Sequence, residues 1–117
     1  MKNNFNNFLK NFLFFYFLLF FPFQKITAKD LNAKIGENIF LRNCNVCHNQ
    51  GNNIIIPEKN LKIETLRANG MDNLDAIIYQ VINGKNGMPA FGGRLKEDEI
   101  EKVASYILEK SINDFQN

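Results

Sequence analysis

The chain's only two cysteines and only histidine fall within five consecutive residues, Cys44-Asn45-Val46-Cys47-His48. This is the C-x-x-C-H pattern of haem attachment. Two cysteines three apart on a helical turn face the same side. They can add to the two vinyl groups of one haem as thioethers, and His48 is then held against the iron by its own short tether. Rival readings fit less well. A structural zinc site usually takes four Cys or His ligands, and the chain offers three. A thioredoxin-like dithiol belongs in a βαβ setting, and no convincing strand can be read here. A simple disulfide would leave His48 without a role.

The N-terminal quarter reads as an export signal. Lys2 and Lys10 form a basic start, an apolar block runs from Phe12 to Phe23 with Pro22 inside it, and Ile26-Thr27-Ala28 supplies a small residue for cleavage. Nine of the twelve phenylalanines precede Gln24, so whole-chain hydropathy describes no real domain. The alternative is a retained membrane anchor, but a spanning helix needs roughly 20 apolar residues and this block is shorter. Cutting after Ala28 gives two parts: a signal over 1–28 and a domain over 29–117. Of the 117 residues, 89 remain, with 11 basic residues against 12 acidic ones, so the formal charge of +2 becomes −1. No basic face for nucleic acid is evident. A domain this small builds a thin core and usually needs a disulfide, metal or cofactor to add buried contacts.

Four helical segments are predicted. The first covers about Asn32 to Asn43, with Leu31, Ile35 and Ile39 recurring every four residues. An Asn- and Gly-rich loop follows, and Ile54-Ile55-Ile56 is read as a buried loop leading to Pro57. The second helix, about Lys59 to Ala68, is weakly periodic and ends at Asn69-Gly70. The third starts near Asp72 or Asn73, both good N-caps, and presents Leu74, Ile77, Ile78, Val81 and Ile82 on one face. The segment from Lys85 to Arg94 holds three glycines and a proline and is irregular. The fourth helix, about Glu97 to Ile112, carries Ile100, Val103, Ala104, Ile107 and Leu108 on one face, with Glu97, Asp98 and Glu99 suiting its N-terminal dipole.

A sixth iron ligand can be sought by elimination. A second histidine ligand does not exist in this chain, and Met1 leaves with the signal, which leaves Met71 and Met88. Met71 sits at a helix entry, where methionine is usually packing. Met88 sits in the glycine-rich loop, followed by Pro89, 40 residues after His48. Met88 is the better candidate, with Met71 or a vacant sixth site as alternatives. A thioether ligand favours ferrous iron and raises the potential, and burial away from water acts in the same direction. A filled sixth position leaves no place for oxygen or peroxide, so the pattern points to electron carriage.

The run Tyr79-Gln80-Val81-Ile82-Asn83-Gly84-Lys85-Asn86-Gly87-Met88-Pro89-Ala90-Phe91-Gly92-Gly93-Arg94-Leu95, with C-x-x-C-H, resembles the cytochrome c6 family of single-haem cytochromes c. The resemblance covers essentially all of 29–117. It implies an all-α cytochrome c fold, about four helices wrapped around one covalently bound haem c. The family carries electrons, without being an enzyme, from the cytochrome b6f complex to photosystem I. Cys44 and Cys47 would hold the haem, with His48 and Met88 as axial ligands. Pro57 would supply the carbonyl that accepts the proton on the far nitrogen of His48. Gly36, Phe40, Val103 and Tyr106 match the crossing of the first and last helices. Gln80 would lie near the haem and tune its potential, and Arg94 would assist docking, although both could equally be ordinary surface residues. The departure is Lys96, where the last helix often opens with Ser or Thr.

The family implies a soluble, monomeric carrier that docks transiently on membrane complexes. A single export signal, with residue usage suited to an AT-rich plastid genome, points to the thylakoid lumen of a plastid. The same pattern fits a cyanobacterial lumen or a bacterial periplasm. Competing functions are a respiratory carrier delivering to a terminal oxidase, a haem-based sensor or peroxidase with Met88 detached, and a non-haem CxxC redox protein.

Overall fold

A computed structural model describes residues 2–20 and 25–116. The expectations for Met1, and for Phe21, Pro22 and Phe23 at the end of the apolar block, lie outside the described residues. Among those described, the regular elements are helical: α1 (Lys2–Phe20), α2 (Ala28–Asn43), α3 (Asn45–His48), α4 (Ile63–Ala68), α5 (Leu74–Asn83) and α6 (Glu97–Ile112), with 3-10 turns at Asn49–Gly51 and Pro57–Lys59. No strand forms among the described residues, and only isolated bridges join Lys85 to Met88 and Gly92 to Leu95. The fold is all-α, as expected.

Helix α1 leaves Phe8, Phe12, Phe14, Phe15 and Leu19 exposed. Among the described residues no helix is long and apolar enough to cross a membrane. Helix α2 starts four residues earlier than its periodicity suggests. Thr27 is its N-cap: the Thr27 side chain accepts from the Asp30 N–H at 3.3 Å, and the Asp30 carboxylate accepts from the Thr27 N–H at 3.1 Å. This reciprocal box satisfies two otherwise orphaned donors. A cut after Ala28 would fall inside the first turn and remove the cap.

The core forms where α2, α5 and α6 meet. Ile39, Phe40, Cys44, Leu66, Ile77, Val81, Phe91, Ile100, Val103, Ala104 and Ile107 are buried in one cluster. Each large apolar side chain taken out of water there contributes about 1.5–3 kcal/mol. The crossing of α2 and α6 depends on Gly36. A Cβ at that position would collide with the Lys102 carbonyl oxygen and lie 2.9 Å from Tyr106 Cβ. Close approach lets the Phe40 ring reach Tyr106, with centroids 5.5 Å apart. Of the four residues expected at this crossing, Gly36, Phe40 and Tyr106 meet there, and Val103 is fully buried on α6.

The second predicted helix shortens to Ile63–Ala68, because Asn60 interrupts it. Its amide donates to the Pro57 carbonyl at 3.0 Å, and its Oδ1 accepts from the Lys62 N–H at 3.1 Å, a local turn that competes with helix. Ile54 is exposed, not buried, and Ile55, also exposed, belongs to the wall of the cleft described below. Helix α6 begins at Lys96 without a side-chain acceptor, yet the Glu99 carboxylate accepts from the Lys96 N–H at 2.9 Å, and the three acidic residues complement the dipole. Of the two candidate caps for α5, Asn73 is the one used, its Oδ1 accepting from the Ala76 N–H at 2.9 Å.

Candidate functional site

The sequence places Cys44 at the junction of α2 and α3, so the C-x-x-C-H segment begins as one helix ends. The Cys44 N–H donates to the Phe40 carbonyl at 2.8 Å, and the Cys44 carbonyl accepts from the N–H groups of Cys47 (3.1 Å) and His48 (2.9 Å). These bonds wind the two thiols and the imidazole onto a single turn. Cys44, Cys47 and His48 line one cleft of about 310 Å³, together with Met71, Gln80 and Met88. Its apolar wall includes Ile55, Leu61, Leu66, Ile77, Val81, Phe91 and Ile107. The volume falls in the ~300–1,000 Å³ range of small-molecule and cofactor sites.

The two thiols are not joined in a disulfide. Burial, and then the neighbouring Cys47, push the Cys44 thiol up to about 11, so it is neutral at physiological pH. Burial lowers the His48 value, opposed by the bond to Asn52, and the imidazole is therefore the neutral form that binds metals. His48 Nδ1 lies 3.0 Å from the Asn52 carbonyl oxygen. A carbonyl only accepts, so Nδ1 carries the proton and Nε2 keeps its lone pair for a ligand.

That contact corrects the reading of Pro57. The carbonyl facing His48 is that of Asn52, while the Pro57 carbonyl is taken by Asn60, and Pro57 does not line the cleft. The reason is local. Asn53 Oδ1 accepts from the N–H groups of Ile55 (3.0 Å) and Ile56 (2.9 Å), and its amide donates to the Lys59 carbonyl at 3.1 Å. The loop folds around Asn53, turning the Asn52 carbonyl towards the imidazole and starting a new turn at Pro57. The side chain of Asn53 is an Asx-turn signal visible in sequence; the backbone oxygen before it carries no signature of its own.

Met88 is held from both sides. Lys85 and Met88 exchange backbone hydrogen bonds at 3.1 and 3.0 Å around Asn86 and Gly87, whose φ angles are +48° and +87°. Successive positive φ values make this the tight turn that Asn-Gly favours. The N–H groups of Phe91 and Gly92 then donate to the Val81 and Ile82 carbonyls of α5 at 2.9 and 3.1 Å, fastening the loop to that helix. Gln80 Nε2 reaches Met88 Sδ at 3.6 Å. Met71 lines the same cleft, so lining alone does not separate the two methionines; the shaped, doubly fastened loop belongs to Met88. Arg94 lies elsewhere, exposed, with its guanidinium 4.9 Å from the centroid of the buried Phe91 ring. Lys59, which bonds to Asn69 Oδ1, and Lys85 bring positive charge to the cleft.

These donors fit a haem c. Two thiols on one turn, a neutral imidazole with a free Nε2, a thioether in a shaped loop and an apolar wall are the groups that such a cofactor needs. They do not suit a structural zinc: among the described residues no three His, Cys, Asp or Glu side chains are grouped to hold a metal ion.

Comparison with known proteins agrees. The family model for cytochrome c oxidase, cbb3-type, subunit III, matches residues 31–107. Cytochrome c6 of Bumilleriopsis filiformis is 60% identical over 76 residues, which are 65% of this chain and 88% of that protein. Cytochrome c6 of Gracilaria tenuistipitata var. liui is 54% identical over 90 residues, 77% of this chain and 82% of that one. The solved structure of cytochrome c6 from the diatom Phaeodactylum tricornutum superimposes with a TM-score of 0.67 at 46% identity, covering 70% of this chain and 97% of that chain. Such proteins have the cytochrome c fold, transfer electrons without being enzymes, and carry one covalently bound haem c. With that cofactor matched by the donors in its cleft, the chain belongs to the cytochrome c6 family.

Proposed function

We propose that this electron carrier is soluble and passes single electrons from a cytochrome b6f complex to photosystem I in the thylakoid lumen of a plastid, once residues 1–28 have been removed. The observation that supports this most is that Cys44, Cys47, His48 and Met88, separated by up to 44 positions, all line one apolar cleft. In this reading Cys44 and Cys47 attach the haem, and His48 Nε2 and Met88 Sδ bind its iron. The bound haem supplies a metal that gains and loses one electron.

The chain's own residues do the rest. The Asn52 carbonyl holds the proton on His48 Nδ1 and so keeps the ring oriented and electron-rich. Gln80 donates towards Met88 Sδ and moderates the density that sulfur can offer. The apolar wall excludes water, which disfavours the more highly charged ferric state. Lys59 and Lys85 offer charge for the haem's carboxylates. Arg94, standing outside the cleft on Phe91, is a docking residue. Contacts of this kind form small, short-lived interfaces steered by charge.

Flash oxidation of photosystem I in the presence of the reduced, haem-loaded protein tests the proposal. Re-reduction should accelerate with protein concentration, and a cytochrome b6f complex should reduce the ferric form. No reaction with either complex, combined with oxygen uptake by a terminal oxidase supplied with the protein, would replace this role with a respiratory one. The match to an oxidase subunit model keeps that alternative specific.

A further inference from the structure

Beyond α6 the chain does not simply end. Asp114 and Phe115 both have left-handed backbone angles, φ +49° and +60°. Two such residues in succession, neither of them glycine, persist only where surrounding contacts over-determine them. The Phe115 N–H donates to the Lys110 carbonyl at 2.9 Å and the Asp114 N–H to the Ser111 carbonyl at 3.0 Å, folding the tail back across the helix end. The Phe115 ring then packs against Phe40 and Tyr106, with centroids 5.6 and 6.5 Å away. Its other contact is Gly51. A Cβ on Gly51 would lie 2.7 Å from Cγ and 3.1 Å from Cε2 of that ring, so the ring rests directly on the Gly51 backbone. Asp114 Oδ1 accepts from the Ile63 N–H at 3.4 Å, joining the tail to the start of α4.

Gly51 is the residue before Asn52, whose carbonyl faces His48 Nδ1. The Gly51 carbonyl is itself tied to the Leu61 N–H at 2.7 Å. Gly51, the residue immediately before the His48 acceptor, is therefore held between the Leu61 amide and the Phe115 ring. We infer that Asp114 and Phe115 form a C-terminal clasp that positions the Asn52 carbonyl and, through it, the His48 imidazole. This rests on His48 being the iron ligand. Phe115 is a positioning residue: it touches neither the cleft nor its donors, and acts through Gly51 and Asn52. The clasp joins the last residues of the chain to the segment on which the redox centre is mounted.

The test uses the matured, haem-loaded protein and the variants Phe115→Ala, Phe115→Trp, Asp114→Ala and Ile100→Ala. Ile100 is buried on α6 but does not line the cleft, so its variant reports a loss of packing without touching the clasp. The readouts are solvent exchange of the His48 Nδ1 proton by NMR, the reduction potential, and thermal stability. Phe115→Ala should speed that exchange by roughly tenfold or more, as expected when a local opening becomes easier. It should also raise the potential, since a looser acceptor leaves the ring less electron-rich and less able to support ferric iron, while Phe115→Trp should restore both. Asp114→Ala should move them in the same direction by less, and Ile100→Ala should lower stability while leaving both unchanged. Wild-type exchange in Phe115→Ala, or equal effects in Ile100→Ala, would overturn the clasp. A colourless wild-type product from a haem-competent host would instead refute the ligand assignment beneath it, and the visible spectrum reports that before any variant is compared.

Discussion

Replacing Gly36 by alanine should destabilise the domain, although alanine is the better helix former. At an unhindered helical site the change would stabilise by ~1 kcal/mol. Here the new Cβ meets the backbone of α6, where the Lys102 carbonyl carbon stands 3.0 Å away and Tyr106 Cβ 2.9 Å away. Carbon atoms prefer separations of ~3.5–4.0 Å, so the helices must part by about 0.5–1 Å. A gap of that size forfeits a quarter to a half of each contact across it, and a fully buried side chain makes tens of contacts worth ~0.1–0.2 kcal/mol each. Phe40, 2% exposed, sits at the crossing, and Val103, 0% exposed, is buried on α6. Their combined loss is about 2–4 kcal/mol, leaving a net destabilisation of about 1–3 kcal/mol after the propensity gain. For a domain of 60–100 residues that lowers Tm by about 4–24 °C. Guanidinium titration of the haem-loaded protein, followed by far-UV circular dichroism, measures the change. Asn38→Ala, at an exposed position of α2, isolates the propensity contribution. A Gly36→Ala protein as stable as the wild type would mean that α2 and α6 are not in the contact described.

Met88→Ala should abolish the weak red-edge band of sulfur-ligated ferric haem, lower the potential and let carbon monoxide bind the ferrous form, whereas Met71→Ala should retain the band; a reversed pattern would transfer the ligand to Met71. Gln80→Val removes a donor from the ligand sulfur, worth about 0.5–1.5 kcal/mol, and should lower the potential by roughly 20–60 mV for a one-electron couple; an upward shift would contradict the direction of that hydrogen bond. Tyr106 has its value raised above the ordinary 10.0, first by burial and then by Glu37. The folded state thus holds this proton more tightly than the unfolded one, so the associated stability is intact below pH ~10 and is lost as pH rises through the folded value. Tyr106→Phe should flatten the alkaline fall in urea stability, and an unchanged slope would remove Tyr106 as its cause. A matured chain beginning at Lys29 lacks Thr27, and its first helical turn should exchange amide protons faster than in a chain retaining residues 25–28, an N-cap being worth ~1 kcal/mol; equal protection would show that the turn is held from elsewhere.

Side-chain patterns made much of this molecule legible. The faces of α5 and α6 repeat at the helical period, and Ile77, Val81, Ile100, Val103, Ala104 and Ile107 are all buried. Cys44, Cys47 and His48 were singled out by spacing and Met88 by the irregular loop around it, and all four line one cleft. What escaped notice is written in backbone atoms or in residues with two possible uses. The Asn52 carbonyl is chemically the same as any other, so resemblance pointed to Pro57 instead. Thr27 looked like part of a cleavage site and serves as a helix cap. Ile54 and Ile55 looked like core because their composition is apolar, yet apolar residues also line a cleft or meet solvent, as Ile55 and Ile54 do. Phe115, isolated near the end of the sequence, has no periodic partner, and its contacts reach back 64 positions to Gly51.

The two proposed iron ligands are secured by different means, and the difference bears on electron transfer. Met88 stands in a turn closed by its own backbone and fastened to the end of α5, so its position follows from hydrogen bonds within residues 80–92. His48 stands on the turn that follows α2, and its Nδ1 faces a carbonyl in the next loop, whose preceding residue, Gly51, is bonded to Leu61 and packed against the tail. Fast one-electron exchange requires that neither ligand move when the charge on the iron changes, because preorganised groups avoid reorganisation at the moment of transfer. The methionine side meets that requirement locally, and the histidine side only when the whole chain is folded. Perturbing the tail should therefore disturb the imidazole before the thioether, and the order in which the two ligands loosen under denaturant follows from where each is anchored.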